Sequence, residues 1–153
     1  MADRFIDDYL LYLLARASDG ASAEFHSRLK THGLQVPEWR VLAALSDGDG
    51  VTLGELAAIA LQHQPTMSKI VGRMERAGLV IRRAGKRDRR QVRVFITPDG
   101  RRRVDTALKD AKLHEAEILS RFGTEDARRL KQLLRSLIDE QADAKTQFES
   151  TPA

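Results

Sequence analysis

The sequence predicts a mainly α-helical protein with one small β-hairpin. Over most of the chain, apolar residues recur at the spacing of one helix face. The pattern changes to alternation in one region, between Leu79 and Thr97, where two short apolar runs flank an arginine-rich loop. Glycine and proline residues separate the helical segments. A hairpin is therefore expected between two helical regions.

A long N-terminal helix is predicted over residues 4–30, where four aliphatic residues lie at helical spacing: Ile6, Leu10, Leu13 and Leu14. Gly33 is expected to end this region as a C-terminal cap. Pro37 then begins a second helix, predicted over 37–45, at a first-turn position where proline is tolerated. The run Ser-Asp-Gly-Asp-Gly at 46–50 predicts a loop.

Two shorter helices follow at the spacing of a helix-turn-helix. Thr52 and Glu55 form a capping box, which predicts a helix over 53–60. After a turn of about four residues, Pro65 begins the next helix and Gly78 ends it. Because the hairpin comes next, this pair of helices predicts a winged helix-turn-helix.

Two further helices are predicted after the hairpin. Thr97 is expected to cap the first, which runs to about Arg121. Gly123 breaks the helical pattern, and Thr124 is expected to cap a last helix near residues 125–147.

The charge of the chain is concentrated in one segment. The sequence has 26 Lys and Arg against 22 Asp and Glu, a net charge of +4. Between Arg82 and Arg103, ten basic residues stand against two acidic ones, so the remainder is net acidic. A basic segment on a near-neutral body is typical of proteins that bind polyanions. The alternative is a solvated face, and charge alone leaves both open.

Several classes of protein are disfavoured. The absence of cysteine excludes a thiol sensor, a disulfide scaffold and a Cys-ligated zinc site. The four histidines lack metal-ligand spacing, and no nucleophile–base pair or phosphate-binding glycine loop is found, so neither an enzyme nor a cofactor is expected. No segment has the roughly 18 uncharged residues of a membrane span, and the N-terminal apolar run is interpreted as a mature helix. A cytoplasmic protein without a membrane partner is expected.

The helix that begins at Pro65 has two faces. Its apolar residues are expected to pack on the preceding helix: Met67, Ile70, Val71 and Met74. The opposite face carries small polar groups and long cations: Thr66, Ser68, Lys69, Arg73 and Arg76. Such a face can enter the major groove of DNA, where Thr, Ser and Gln meet base edges and Arg binds guanine or phosphate. The alternative is an ordinary amphipathic surface helix.

Cations also cluster at the tip of the predicted hairpin: Lys86, Arg87, Arg89 and Arg90. An exposed two-stranded hairpin contributes little to a hydrophobic core, and an arginine at its tip can enter a narrow minor groove of DNA. Asp88 lies among these cations. Because a carboxylate facing DNA would be repelled, we interpret Asp88 as an ion-pair partner that fixes the loop.

The hairpin resembles the wing of MarR-type (MarR/SlyA) transcriptional regulators. Its frame is Asp88-x-Arg90-x-x-x-Val94-x-Ile96-Thr97-x-x-Gly100, with isoleucine where the family usually has leucine. Residues 64–69 (Gln-Pro-Thr-Met-Ser-Lys) and 73–80 (Arg-Met-Glu-x-x-Gly-Leu-Val) resemble the family's recognition helix, in which many members have Arg at the position of Lys69. The resemblance covers nearly the whole chain, because the order and length of the helices also agree.

The resemblance implies a homodimer, usually a repressor, that binds a pseudo-palindromic operator in double-stranded DNA. By matching motif positions, the major groove is contacted by Thr66, Ser68, Lys69 and Arg73, the minor groove by Arg90, and the wing is held by Asp88. Neighbouring residues complete the predicted surface: Gln64 in the major groove, Arg89 in the minor groove and, at phosphates, His63, Arg76, Lys86 and Arg87.

Two apolar stripes on the terminal helices support a dimer. The predicted interface residues are Ile6, Leu10 and Leu14 near the N-terminus and Leu130, Leu134 and Leu137 near the C-terminus. An apolar stripe more often packs inside one chain, but a single chain of this length leaves little other surface against which two long terminal helices could pack. The predicted organisation is an N-terminal dimerisation helix at 1–34, a winged helix-turn-helix DNA-binding lobe at 35–100 and C-terminal dimerisation helices at 101–153.

The resemblance also implies a small ligand, often an aromatic acid or its CoA thioester. The candidate pocket residues are His26, Arg28, Trp39 and Arg40, because an aromatic wall with a cation suits such a ligand. The alternative places Trp39 in the core and the arginines in solvent. Two function classes stay open: a repressor released by a ligand, and a DNA-binding regulator or nucleoid-type protein without an effector.

Overall fold

The computed structural model describes residues 4–85 and 90–149, with side chains described as far as residue 142. Its elements are, in chain order, α1 (Phe5–Asp8), α2 (Leu10–Thr31), α3 (Val36–Asp47), β1 (Val51–Thr52), α4 (Leu53–Ile59), α5 (Gln64–Arg76), β2 (Val80–Ala84), β3 (Val92–Ile96), α6 (Pro98–Leu119) and α7 (Thr124–Glu149). The chain forms two compact units, the first ending at Leu113 and the second beginning at His114. The mainly helical class and the winged helix-turn-helix are confirmed.

The N-terminal helix differs from its prediction in one respect. The backbone of Tyr9 is extended, with φ −74° and ψ 118°, and separates α1 from α2. The prediction of one continuous helix was therefore wrong at this residue. The Tyr9 ring stacks on that of Phe5 at 5.2 Å between centroids, and nothing in the local sequence explains the interruption.

The end of α2 follows its prediction closely. Gly33 has φ 66°, and its N–H donates to the Lys30 carbonyl at 3.0 Å, while the Leu34 N–H donates to the Leu29 carbonyl at 3.1 Å. These two bonds form a Schellman motif, and the accompanying apolar contact is supplied by Leu29 and Leu34, both buried. The motif turns the chain sharply into α3.

Capping also fixes the start of α4. The Glu55 N–H donates to Thr52 Oγ1 at 3.3 Å, and the Thr52 N–H donates to the Glu55 carboxylate at 2.8 Å. The hydrogen bond from the Thr52 hydroxyl lowers the pKa of Glu55, followed by the bond from the Thr52 backbone. The capping box predicted from the sequence is confirmed.

The core of the first unit lies between the helices and the sheet. Its fully buried large side chains are Leu29, Val41, Leu42, Leu45, Leu56, Met67, Val71, Met74, Val80, Val94 and Val104. The apolar stripe of α5 belongs to this core, as its spacing predicted. The opposite face of α5 is therefore the one that can meet a partner.

The sheet has three antiparallel strands in the order β1-β3-β2, one more than the predicted hairpin. The additional strand pairs Val51 with Val94 and Thr52 with Arg93. Two residues are too few for an alternating pattern to show, so β1 exists only through its pairing with β3. Arg93 strengthens this edge, because its guanidinium donates to the Gly50 carbonyl at 2.7 Å.

Leu61 ends α4 in a left-handed conformation, with φ 55°, the only positive φ found for a non-glycine residue in the described ranges. The Gln62 N–H donates to the Ala57 carbonyl at 2.9 Å and the Leu61 N–H to the Ala58 carbonyl at 3.2 Å. Glycine usually occupies this position of a Schellman motif. The Leu61 side chain is 74% exposed, so it gains little packing in return for the strained backbone.

Replacing Leu61 with glycine is therefore expected to stabilise the protein. A left-handed backbone costs an L-residue roughly 1–2 kcal/mol, and the greater entropy of glycine in the unfolded chain cancels about 0.5–1 kcal/mol of that gain. We expect a net increase of about 0.5–1 kcal/mol in the free energy of unfolding, measured in urea. Leu61→Ala keeps the strain, so its stability should not rise.

The start of α6 lies close to the turn between α5 and β2, within the first unit. Thr97 Oγ1 accepts the Gly100 N–H at 3.0 Å and donates to the Gly78 carbonyl at 2.6 Å, so the predicted cap of α6 is confirmed. The start of α7 differs by one residue from its prediction. Thr124 is the first helical residue, so Gly123 stands at the capping position.

The second unit contains the end of α6 and α7. Lys131 Nζ lies 2.8 Å from a carboxylate oxygen of Glu115 and ties the two helices together. Large apolar side chains on α7 remain exposed: Leu130, Leu133, Leu134 and Ile138. Within the described ranges, the structure contains no helix with the length and apolar character that a membrane crossing requires.

Candidate nucleic-acid interface

The outward face of α5 is polar and basic along its whole length. The residues that the sequence assigned to the major groove are exposed or, for Ser68, half-buried: Gln64, Thr66, Ser68, Lys69 and Arg73. Arg76 is exposed on the last turn, and His63 is exposed at the capping position before the first. No side chain at these positions is apolar, so the face is suited to base edges and phosphates rather than to a protein core.

One α5 cation forms an ion pair with a carboxylate of another helix. Arg73 Nη2 lies 3.7 Å from Glu38 Oε1 on α3. The other oxygen of Glu38 accepts the Gln35 N–H at 3.0 Å, at the start of α3. The carboxylate therefore connects the beginning of α3 to the exposed face of α5.

A second ion pair connects α5 to the sheet. The Glu75 carboxylate accepts both the Arg82 guanidinium, at 2.8 Å, and the Arg82 backbone N–H, at 3.0 Å. β2 is an edge strand, so this N–H has no neighbouring strand to bond. The Arg82 side-chain hydrogen bond, followed by the backbone bond, lowers the pKa of Glu75. This contact ties the last turn of α5 to β2.

The Glu75 contact predicts a pH-dependent contribution to stability. A carboxylate whose folded pKa lies below its ordinary value of 4.5 stabilises the fold above that value and loses the effect as the pH falls through the folded pKa. We expect Glu75→Gln to be modestly less stable than the parent at pH 7, because the ion pair is partly exposed. Urea denaturation should show the difference shrinking below about pH 4.5; a difference that persists at low pH would contradict this.

Two contacts support the hairpin of β2 and β3, one from the loop before β1 and one between the two strands. Asp49 Oδ1 accepts the Ile96 N–H at 2.9 Å, and the Arg83 guanidinium lies 5.2 Å from the centre of the Phe95 ring. Arg90 is exposed in the turn that precedes β3. The predictions for Lys86, Arg87, Asp88 and Arg89 fall on residues outside the described ranges, so they stay predictions.

The candidate ligand residues do not line a single cavity. Trp39 and Arg40 line an open cleft of about 450 Å³ together with Ala43, Ala44, Asp47 and Ile59. Trp39 also packs edge-to-face against Phe25, at 5.3 Å between ring centroids. His26 is half-buried and Arg28 pairs with Glu24 at 2.5 Å, and neither lines the cleft. The described residues contain no cluster of His, Asp and Glu that could hold a metal ion.

Sequence reasoning missed Glu38, the carboxylate that faces Arg73 from another helix. Glu38 and Arg73 are far apart in the chain and lie on different helices, so no local pattern joins them. Glu38 stands three residues after Gln35 at a helix start, which is a capping signal. That signal could have identified the carboxylate but not its second partner.

The comparisons with known proteins agree with this geometry. The family model described as MarR family matches residues 32–91. The crystal structure of the MarR family transcriptional regulator SPO1453 from Silicibacter pomeroyi DSS-3 is 45% identical, with a TM-score of 0.82, and the match covers 91% of this chain and 99% of that one. This chain belongs to the MarR family.

Two further relatives extend the comparison. The homoprotocatechuate degradative operon repressor of Escherichia coli is 28% identical over 131 residues, which are 86% of this chain and 88% of the repressor. CouR from Rhodococcus jostii RHA1 shares the fold, with a TM-score of 0.78 at 23% identity over 88% of this chain and 95% of CouR. As a MarR-family member, the chain is a DNA-binding transcriptional regulator; the family consists of regulators rather than enzymes.

Proposed function

We propose that this MarR-family chain is a homodimeric repressor that binds a pseudo-palindromic operator and leaves it when a small ligand binds. The observation that supports this most strongly is the two-faced α5. Its apolar stripe is buried in the core, while Thr66, Lys69 and Arg73 are exposed on the other side. A rigid helix with that face outward is suited to base reading in the major groove.

The dimer is supported by exposed apolar side chains on the terminal helices. Leu10 and Leu13 are 55% and 45% exposed on α2, and Leu133 and Ile138 are 59% and 66% exposed on α7. Clusters of this kind on a soluble protein mark protein–protein contacts. A twofold dimer would place two copies of α5 about 34 Å apart, one turn of the duplex, which matches a two-half-site operator.

The cleft beside Trp39 offers a route for release by a ligand. The Arg40 guanidinium donates to the Ala60 carbonyl at 3.2 Å, and Ala60 ends α4 directly before the turn to α5. A carboxylate or phosphate in the cleft would compete for Arg40, because charge-assisted bonds are stronger than a bond to a neutral carbonyl. CouR has been solved bound to a 23-mer DNA duplex and bound to p-coumaroyl-CoA. An aromatic acid or its CoA thioester is accordingly the ligand class that we propose.

Anisotropy titrations on DNA from upstream of the chain's own gene test this proposal. We expect one tight site, located by footprinting, with binding lost when aromatic acids or their CoA thioesters are added. Arg40→Met should keep operator binding but lose the response to the ligand. Weak binding without sequence preference, governed by salt alone, would instead favour a nucleoid-type protein without an effector.

A further inference from the structure

Glu38 has partners on two helices, the start of its own α3 and the exposed face of α5. Its side chain is 15% exposed, and its Oε2 accepts the Gln35 N–H at 3.0 Å. Its Oε1 faces Arg73 Nη2 on α5 at 3.7 Å. One carboxylate oxygen is therefore bonded within α3, and the other faces Arg73 on the proposed recognition face.

We propose that Glu38 is a positioning residue for sequence recognition, which orients Arg73 towards base edges and withholds its charge from phosphates. This inference rests on the proposed function, in which α5 enters the major groove. Lys69 and Arg76 are the other cations of α5, and neither makes an ion pair within the part of the chain that the structure describes. Arg73 is thus the α5 cation whose direction is set before DNA arrives.

Two physical effects favour specific over non-specific binding. An arginine side chain has many rotamers, and a partner that restrains it in the free protein reduces the entropy lost on binding. The nearby carboxylate also offsets part of the Arg73 charge, which weakens the sequence-independent attraction to phosphate. Both effects act on the ratio of non-specific to specific dissociation constants, so that ratio is the quantity to measure.

The variant Glu38→Gln separates the proposed positioning of Arg73 from the contribution of Glu38 to the start of α3. Glutamine also accepts the backbone N–H in a capping box, so α3 keeps its start while the charge beside Arg73 is lost. We expect the ratio of non-specific to specific dissociation constants to fall about 3- to 10-fold, because one side chain is no longer restrained before binding. The two constants are measured by anisotropy at fixed salt, on the footprinted operator and on a scrambled duplex. The thermal midpoint should stay close to that of the parent.

A matched control shows whether loss of any carboxylate changes the specificity ratio. Asp105→Asn removes an exposed carboxylate from α6 and should leave the ratio unchanged.

A double variant shows whether Glu38 acts through Arg73. In an Arg73→Ala background, Glu38→Gln should have no further effect on the ratio. An equal fall in both backgrounds, or no fall in the parent, would overturn the inference. If Arg73→Ala alone leaves the ratio unchanged, the placement of α5 in the groove fails, and that result is recognised without any Glu38 variant.

Discussion

Replacing Leu133 with glutamate is expected to convert the protein to monomers and to abolish tight operator binding. Leu133 is 59% exposed on α7, so the folded chain tolerates a charge there, whereas a dimer interface would have to bury it unpaired. A monomer binds only one half-site, so it loses the increase in affinity that comes from binding both half-sites at once, about 10²- to 10⁴-fold. Light scattering and anisotropy on the same samples would measure both effects.

Gln132→Glu provides the matched control. It adds the same charge one residue away, at an exposed position off the apolar stripe of α7, and should leave the dimer and operator affinity intact. Circular dichroism should show unchanged helicity for both variants. A Leu133→Glu protein that stays dimeric and binds the operator as the parent does would contradict the proposed interface.

Gly100→Ala is expected to destabilise the protein strongly, because the backbone leaves no room for a methyl group at this residue. A Cβ at Gly100 would lie 2.1 Å from the Leu79 carbonyl oxygen and 3.0 Å from Ile96 Cγ1. The first of these is a backbone atom, which already accepts the Thr97 N–H at 3.1 Å. Relief of the clash would move the α5–β2 turn away from the start of α6 and break that bond.

We expect Gly100→Ala to lower the free energy of unfolding by about 3 kcal/mol, the upper part of the range for overpacking. The control is Gly20→Ala, in the middle of α2, where a Cβ meets nothing within 4 Å. Alanine there should stabilise the protein by about 0.5–1 kcal/mol, since it is the better helix former. Equal stability of the two variants in urea would show that the close approach at Gly100 is absent in solution.

The helix-turn-helix could be predicted because its signals are local. Thr52 with Glu55, the glycines that end α2 and α5, and the apolar stripe of α5 each act over a few residues. The break at Tyr9 and the left-handed Leu61 have no such signal, since neither residue is a glycine or a proline. Tyr9 adopts an extended backbone that is open to any residue, and Leu61 adopts a left-handed one that its residue type does not favour, so neither position is marked in the sequence.

In the candidate site, too, local features could be predicted from the sequence and contacts between elements could not. Spacing along α5 separated the buried stripe from the exposed cations, because a helix repeats every 3.6 residues. The ion pairs that connect α5 to its neighbours join residues from different elements, Glu38 to Arg73 and Glu75 to Arg82. Such pairs depend on how α3, α5 and β2 pack, and only the structure provides that.

If the exposed face of α5 reads DNA, Arg73→Ala should weaken operator binding. Arginine contacts to a base edge are worth about 1–3 kcal/mol, so operator affinity in an anisotropy titration should fall roughly 5- to 150-fold and discrimination at one base pair should relax. Arg16→Ala, on the exposed surface of α2, should bind as the parent does. If Arg73→Ala binds the operator with the affinity and specificity of the parent, α5 does not read the operator through Arg73.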